Sequence, residues 1–570
     1  MAKTLDKVDV VTVGVGWTGG IIAAECAKAG MKVRGLERGQ NRGTEDYSLV
    51  HDEYRYAIRY ELMQDLSKET ITFRNNMKQR ALPMRQLGSF LLGEGLGGAG
   101  THWNGMTYRF FPYDFQIKTE TEKKYGKNKV SSDYLIQDWG ITYDELEPYY
   151  DRFEKTMGLS GEDTNPFWGK RSSDFPTPPM KKTPLLKKFE TATKDLGYHP
   201  YMVPSANLSE PYENPDGSQI NACQYCGFCE RFGCEYGAKA SPEVTVIPAA
   251  KKTGNYDIIF NANVVEILTK GNKTTGVRYI DTQTGEEVIQ PADVVVLTSY
   301  MMNNAKLLMV SNIGDQYDPE TGKGTLGRNY CYQIEPGATG FFDEQMNTFM
   351  GAGALGMTID DFNADNFDHS DLDFIHGASI SFVQSGSRPI GTNPVPSDVP
   401  LWGAEFKKAS IENFTRTLDV FGQGASIPHK HNYLSLDPTY KDKYGVPLLR
   451  MTYNFTEQDR NLHKFITKKT VEVMEKMGAK KTEGGGPLAE YDIVPYQSTH
   501  NTGGTSMGND PNTSVVNTYL QHWDVENLFV VGAGNFNHNS GYNPTATVGA
   551  LAYRTAEGIQ KYRKKGGSLV

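Results

Sequence analysis

A chain of 570 residues is long enough to hold more than one core, so two lobes are expected rather than a single compact domain. Fifty-nine basic and 68 acidic residues give a net charge of −9 with no long basic run, which excludes nucleic acid as the main partner. No apolar stretch approaches the roughly 18 residues of a transmembrane helix, and the opening Met1–Lys7 has neither an apolar signal core nor a twin-arginine pair, so a soluble, cytoplasmic chain is expected.

The β-branched run Val8-Asp9-Val10-Val11-Thr12-Val13 predicts a buried strand. It leads into Gly14-x-Gly16-x-x-Gly19. Residues 20–29 predict a helix closed by Gly30, and 32–36 a second strand that ends at Glu37. Glycine lets the turn tighten, lets the backbone approach a pyrophosphate, and lets the helix pack on the strand. The helix start offers unpaired N–H groups to phosphates, and Glu37 stands at the spacing that suits a ribose diol. Strand, turn, helix, strand and acid in this order indicate a dinucleotide site, with FAD and NAD both open at this point.

Residues 39–92 mix helical and extended patterns and carry no assignable chemistry. The second glycine-rich stretch, Gly93 to Met106, cannot be the interior of a strand or helix, so something must approach its backbone closely. Thr142 to Glu145 form a capping box, opening a helix with Leu146, Tyr150, Phe153 and Met157 on one face. Residues 160–182 read as a surface excursion, and Thr183-Pro184 starts a helix that Gly197 ends.

Four of the six cysteines follow, as Cys223-x-x-Cys226-x-x-Cys229-x-x-x-x-Cys234, while Cys26 and Cys331 stand far apart. This is not a secreted disulfide framework; the clustering points to a metal. Three closely spaced thiols plus a fourth suit an iron–sulfur cluster. Zinc would be better served by two CxxC pairs around a longer loop, and c-type haem is excluded because no histidine follows a CxxC. Zinc and redox thiols stay as alternatives.

Strands over 261–267 and 293–297 and a helix over 303–310 come next. From 336 to 492 alternating strands and a helix, capped by Thr456 and stopped near Gly478, form one further sheet with helices against it. The chain closes with three pieces: Ser498 to Gly508, Val530 to Asn535, and Gly541 to Thr547. Pro544 and the small residues after it predict a helix start. His538 reads as a surface or packing residue.

The two glycine-rich segments and the three C-terminal pieces together resemble the glucose–methanol–choline (GMC) family of FAD oxidoreductases. The resemblance implies an α/β fold of two domains. A Rossmann-like FAD-binding domain would span 1–335 and 493–570, with the cysteine segment, and a substrate domain of mainly antiparallel sheet backed by helices would span 336–492. It implies FAD rather than NAD, lying along Gly14, Gly16, Gly19 and Glu37, then Gly97, Gly98, Thr101, His102 and Asn104. Val264 would meet the adenine, and Gly532, Ala533, Asn543, Pro544 and Thr545 would complete the cofactor site. His500 and Asn543 would face the flavin N5 as the catalytic pair, where His500 could take a hydroxyl proton as a base and Asn543 could only hold the hydroxyl. Thr101-His102-Trp103 resembles relatives in which this histidine is joined covalently to the flavin 8α-methyl.

Within the family, the cysteine segment with Ala240-Ser241-Pro242 is similar to the flavoprotein subunits of bacterial gluconate 2-dehydrogenases. This implies a [3Fe-4S] cluster, favoured over [4Fe-4S], on Cys223, Cys226, Cys229 and Cys234 or on three of them. The implied reaction oxidises a secondary alcohol of a sugar acid or sugar, of the gluconate to 2-ketogluconate type, by hydride transfer to the flavin. Electrons would leave through the cluster to a cytochrome or quinone. The implied partners are a small subunit and a haem subunit, which would hold the chain at a membrane or its periplasmic face. Two other readings are open: a pyranose oxidase or dehydrogenase acting on a ring hydroxyl, and a non-catalytic flavin and cluster relay.

Overall fold

Val8–Val13 is a central strand of an eight-stranded sheet, as its β-branched composition predicts. The computed structural model describes residues 2–47, 51–86, 88–386, 388–496 and 498–570. Val33–Leu36 and Glu287–Leu297 flank Val8–Val13, both parallel to it. Tyr256–Ile259 continues the parallel order on one side, and Leu528–Val530 pairs with Glu287–Leu297 on the other. The first half of Glu287–Leu297 reaches past this core and carries the antiparallel strands Lys273–Asp281 and Ala262–Lys270.

The helix Trp17–Lys28 buries eleven of its twelve residues. A helix with no polar face must be covered on every side, and this one lies among the sheet and the helices Val246–Lys252 and Thr545–Lys565. Gly20 permits the approach of Val246–Lys252, since a Cβ there would stand 2.5 Å from Val246 Cγ2.

The second large sheet has six strands in the order Lys481–Gly484, Gly337–Phe341, Thr417–Gly424, Ala378–Val383, Gly356–Ile359 and Tyr201–Met202. Every pairing in it is antiparallel. The helix Glu457–Lys476 packs on it through Leu462, Ile466 and Val473, and its Thr456 cap is in place. Tyr433–Lys441 and Pro447–Thr452, expected in this sheet, belong to another. They pair with each other, and Pro447–Thr452 runs parallel to Ile71–Arg74, with Leu82–Pro83 completing four strands. Alternation identifies a strand but not its partner, and the partner here lies in a stretch whose own pattern is uninformative.

Residues 160–182 are more than a surface excursion. Asn165 is buried and donates to Asp360 Oδ2 at 2.6 Å, while Trp168 Nε1 donates to the Tyr542 hydroxyl at 3.1 Å. No helix among the described residues is long and apolar enough to cross a membrane.

Candidate active site

A cavity of about 1140 Å³ is walled by residues of both large sheets. Gly14 enters it with φ +102°, and a Cβ there would lie 2.6 Å from Thr298 O, so this turn requires glycine. A Cβ on Gly19 would strike Gly14 O; Gly19 lets the helix pack on the strand and does not reach the wall. Gly16 differs. The nearest atom to a Cβ there is Gly97 O, at 3.5 Å, and the space it leaves is cavity.

Glu37 is buried at the strand end, and its carboxylate accepts N–H bonds from Val15, Gly39 and Gly95 at 3.1, 2.9 and 3.1 Å. The carboxylate therefore ties the first glycine turn to the second. Of its roughly four acceptor sites the backbone takes three, leaving one for a ligand hydroxyl.

The second glycine stretch turns into the short helix Ala99–His102. Gly98, His102 and Asn104 line the cavity, but Gly97 and Thr101 do not: Thr101 Oγ1 is engaged by Leu96 O at 3.0 Å and Glu243 at 3.1 Å. Burial, with the nearby Lys239 ammonium, pushes His102 down to about 3, so its ring is neutral. Among the described residues, His102 Nε2 has no hydrogen-bond partner, and neither do Trp17 Nε1 and Trp103 Nε1 on the same wall. Val264, Gly532, Ala533, Pro544 and Thr545 also line the cavity, the helix Thr545–Lys565 starting at Pro544.

His500 and Asn543 meet at this wall, Asn543 Nδ2 standing 3.1 Å from His500 Nε2. The sequence gives no hint of the residue behind them, Gln333. Its amide nitrogen donates to Ser540 O at 2.7 Å and Tyr542 O at 3.1 Å, so its Oε1 is the atom that faces His500 Nδ1. The ring proton is thus on Nδ1, and Nε2 presents its lone pair. Burial lowers His500 to about 4, which keeps the ring neutral at physiological pH. Asn543 Oδ1 is buried and has no partner among the described residues.

The cysteine segment lies behind His102–Asn104, with its four thiols off the cavity wall and Glu230 on it. Arg231 N donates to His102 O at 2.7 Å, and the buried Lys239 ammonium donates to Trp103 O, Cys229 O and Phe232 O, each at 2.9 Å. All four thiols are free, and burial with mutual repulsion pushes Cys223 up to about 11. Burial raises Cys229 to about 12 against the pull of Lys239.

Among the described residues, the groups that converge as tightly as single-ion ligands are Asp114, His376 and His538. They satisfy one another without a metal. Gly377 N donates to His376 Nδ1 at 2.8 Å and Trp139 Nε1 to His538 Nδ1 at 3.3 Å, so both rings donate from Nε2 to Asp114 Oδ1, at 2.8 and 3.0 Å. His538 is a buried packing residue, not a surface one.

Two family models, both described as GMC oxidoreductase, match residues 179–335 and 428–552. The chain is 42% identical over 593 aligned residues to the gluconate 2-dehydrogenase flavoprotein of Pantoea cypripedii, covering 100% of this chain and 96% of that one. The chain belongs to the GMC oxidoreductase family. It is an FAD-dependent oxidoreductase acting on CH–OH donors. The 2-methyl-1,2-propanediol dehydrogenase of Mycolicibacterium austroafricanum is 29% identical, over 98% of this chain and 96% of its own length. The fructose dehydrogenase large subunit of Gluconobacter japonicus is 25% identical, over 99% and 100%. Pyridoxine 4-oxidase from Mesorbium loti shares the fold, with a TM-score of 0.61 at 15% identity over 97% of this chain and 99% of that one.

The cavity of this GMC oxidoreductase fits the FAD of its family. Buried polar atoms without partners mark places where a ligand supplies them, and three stand beside the glycine cradle, on Trp17, His102 and Trp103. Gln333 gives the site a testable contact. Gln333→Leu takes away the acceptor of Nδ1–H and the donor to Ser540 O and Tyr542 O, so the ring is no longer held with its Nε2 lone pair at the wall. In a variant that keeps its flavin, reduction by substrate is expected to slow about 10-fold, the worth of one buried hydrogen bond. An unchanged reduction rate would show that the ring does not depend on this side chain.

Proposed function

We propose that this GMC oxidoreductase dehydrogenates a secondary alcohol of a sugar acid or sugar, of the gluconate to 2-ketogluconate type. One observation carries the reading: a neutral imidazole with its Nε2 lone pair at the cavity wall, beside an amide that can hold the same oxygen. A hydroxyl entering between them donates its proton to His500 Nε2 and accepts from Asn543 Nδ2, replacing the bond the two side chains make with each other. FAD, when bound, supplies the acceptor for the hydride leaving the same carbon. Gly14, Gly16, Gly98, Val264, Gly532, Ala533, Pro544 and Thr545 would hold it, with His102 Nε2 as the covalent attachment point. Gln423 Oε1, buried on the wall and without a partner among the described residues, supports a substrate with further hydroxyls.

The reading places an iron–sulfur cluster, [3Fe-4S] rather than [4Fe-4S], on Cys223, Cys226, Cys229 and Cys234. The thiols lie near enough to repel one another, Cys223 feeling Cys234 and Cys226, and Cys229 feeling Cys223 and Cys226. Among the described residues, Lys239 hydrogen-bonds only carbonyls, and a buried ammonium in that position would be complemented by thiolate charge. One-electron transfer is what such a cluster supplies. A cytochrome or quinone would then be the acceptor, with a small subunit completing the complex and holding the chain at a membrane. The relatives' names, one a flavoprotein and one a large subunit, support assembly with other subunits.

The test is anaerobic bleaching of the flavin by gluconate, 2-ketogluconate, fructose and glucose added separately. Gluconate is expected to bleach it. Bleaching by neutral pyranoses alone would move the reaction to a ring hydroxyl, and bleaching by dithionite alone would overturn the substrate class. The same preparation is expected to contain iron and acid-labile sulfide; zinc without sulfide would remove the cluster.

A further inference from the structure

Among the described residues, three basic side chains of lysine or arginine line the cavity: Arg38, Lys306 and Arg388. Arg38 pairs with Glu69 and Glu94, and Lys306 with Glu69 at 2.5 Å and Asp442 at 3.2 Å. The Arg388 guanidinium has no ion pair or hydrogen bond among the described residues, although the residue is half-buried. Its backbone is held in place. Glu53 accepts from Ile390 N at 2.8 Å and Gly391 N at 2.7 Å, Thr392 N donates to Arg388 O at 2.8 Å, and Gly386 packs on Gly227.

The remaining carboxyls on the substrate side of the wall do not answer this charge. Glu483 is held by Lys481 at 2.9 Å, and Glu230 lies 3.6 Å from Arg231. Asp419 accepts the Thr339 hydroxyl at 2.5 Å and is raised by burial. Glu335 is raised well above the usual carboxyl range by burial and by the charge of Glu230, so it favours the neutral acid. A partly desolvated guanidinium without a counter-charge is costly, and its planar fork matches a carboxylate in two parallel hydrogen bonds.

We propose that Arg388 binds the carboxylate of an anionic sugar substrate and so selects sugar acids over neutral sugars. This rests on the reading of the cavity as a sugar-oxidising site. The test uses the flavin-loaded enzyme with gluconate, comparing wild type with Arg388→Met and Arg388→Lys. In Arg388→Met the KM for gluconate is expected to rise on the order of 10- to 100-fold, with kcat changed only a few-fold, because the contact is made equally in ground and transition states. Arg388→Lys, which keeps the charge without the fork, recovers part of the loss. Any neutral polyol that reduces the wild-type flavin does so in Arg388→Met at an unchanged concentration. An unchanged gluconate KM in Arg388→Met, or a fall in kcat with KM unmoved, overturns the assignment while the sugar-acid reading stands. Wild-type enzyme that is reduced by neutral sugars and ignores sugar acids overturns both.

Discussion

Replacing His500 by alanine leaves a flavin that dithionite still reduces, but slows its reduction by substrate about 10²- to 10⁴-fold, the usual worth of a positioned general base. The reason lies in the protonation state the fold imposes. Gln333 holds the ring proton on Nδ1, and burial holds the His500 pKa at about 4, so the Nε2 lone pair is available at neutral pH without a prior deprotonation. A base with so low a pKa is weak, and the imidazolium formed when it takes the hydroxyl proton is stabilised through the Gln333 contact. Asn543→Ala costs less, because it removes a hydrogen bond to the hydroxyl but leaves the base. Stopped-flow reduction under anaerobic conditions measures both. If His500→Ala reduced at the wild-type rate, the C-terminal pair would be incidental and the chain an electron relay.

What could be read from the sequence depended on how far apart the cooperating residues lie. Strand, glycine turn, helix and Glu37 fall within one short stretch, and the structure places them as that spacing requires. His500 and Asn543 were reached through family resemblance, since nothing local joins residues 43 apart. Gln333 was invisible: its side-chain partners are 167 to 209 residues away, and it follows a two-residue strand with no periodicity. Arg388 and Lys239 were missed for the same physical reason. An arginine in a polar loop reads as solvated, and only the finished cavity shows that its charge is unanswered. Thr101 was the opposite case, a motif residue whose hydroxyl the fold turns away from the wall toward Glu243.

Gly14→Val is expected to yield a chain almost without flavin. The valine must adopt φ near +102°, where a left-handed backbone costs an L-residue about 1–2 kcal/mol and a β-branched one more. Its Cβ would also lie 2.6 Å from Thr298 O and 2.9 Å from Ser299 Cα, both backbone atoms of the segment leaving Glu287–Leu297. Neither can swing aside as a side chain would, so the turn moves, and with it the Val15 N–H bond to Glu37 that joins the two glycine segments. Both flavin content and melting temperature should fall. Gly16→Ala separates the two functions of this turn. Gly16 has φ −96°, which alanine tolerates, and a Cβ there would meet no protein atom closer than 3.5 Å. The fold should therefore keep its melting temperature in the apoprotein while flavin content drops, because the methyl occupies space left for the cofactor. A covalent bond at His102, were one formed, would not rescue such a variant, since the cofactor must seat before it can be joined. A Gly16→Ala enzyme with a full complement of FAD would mean that the pyrophosphate does not pass over this residue.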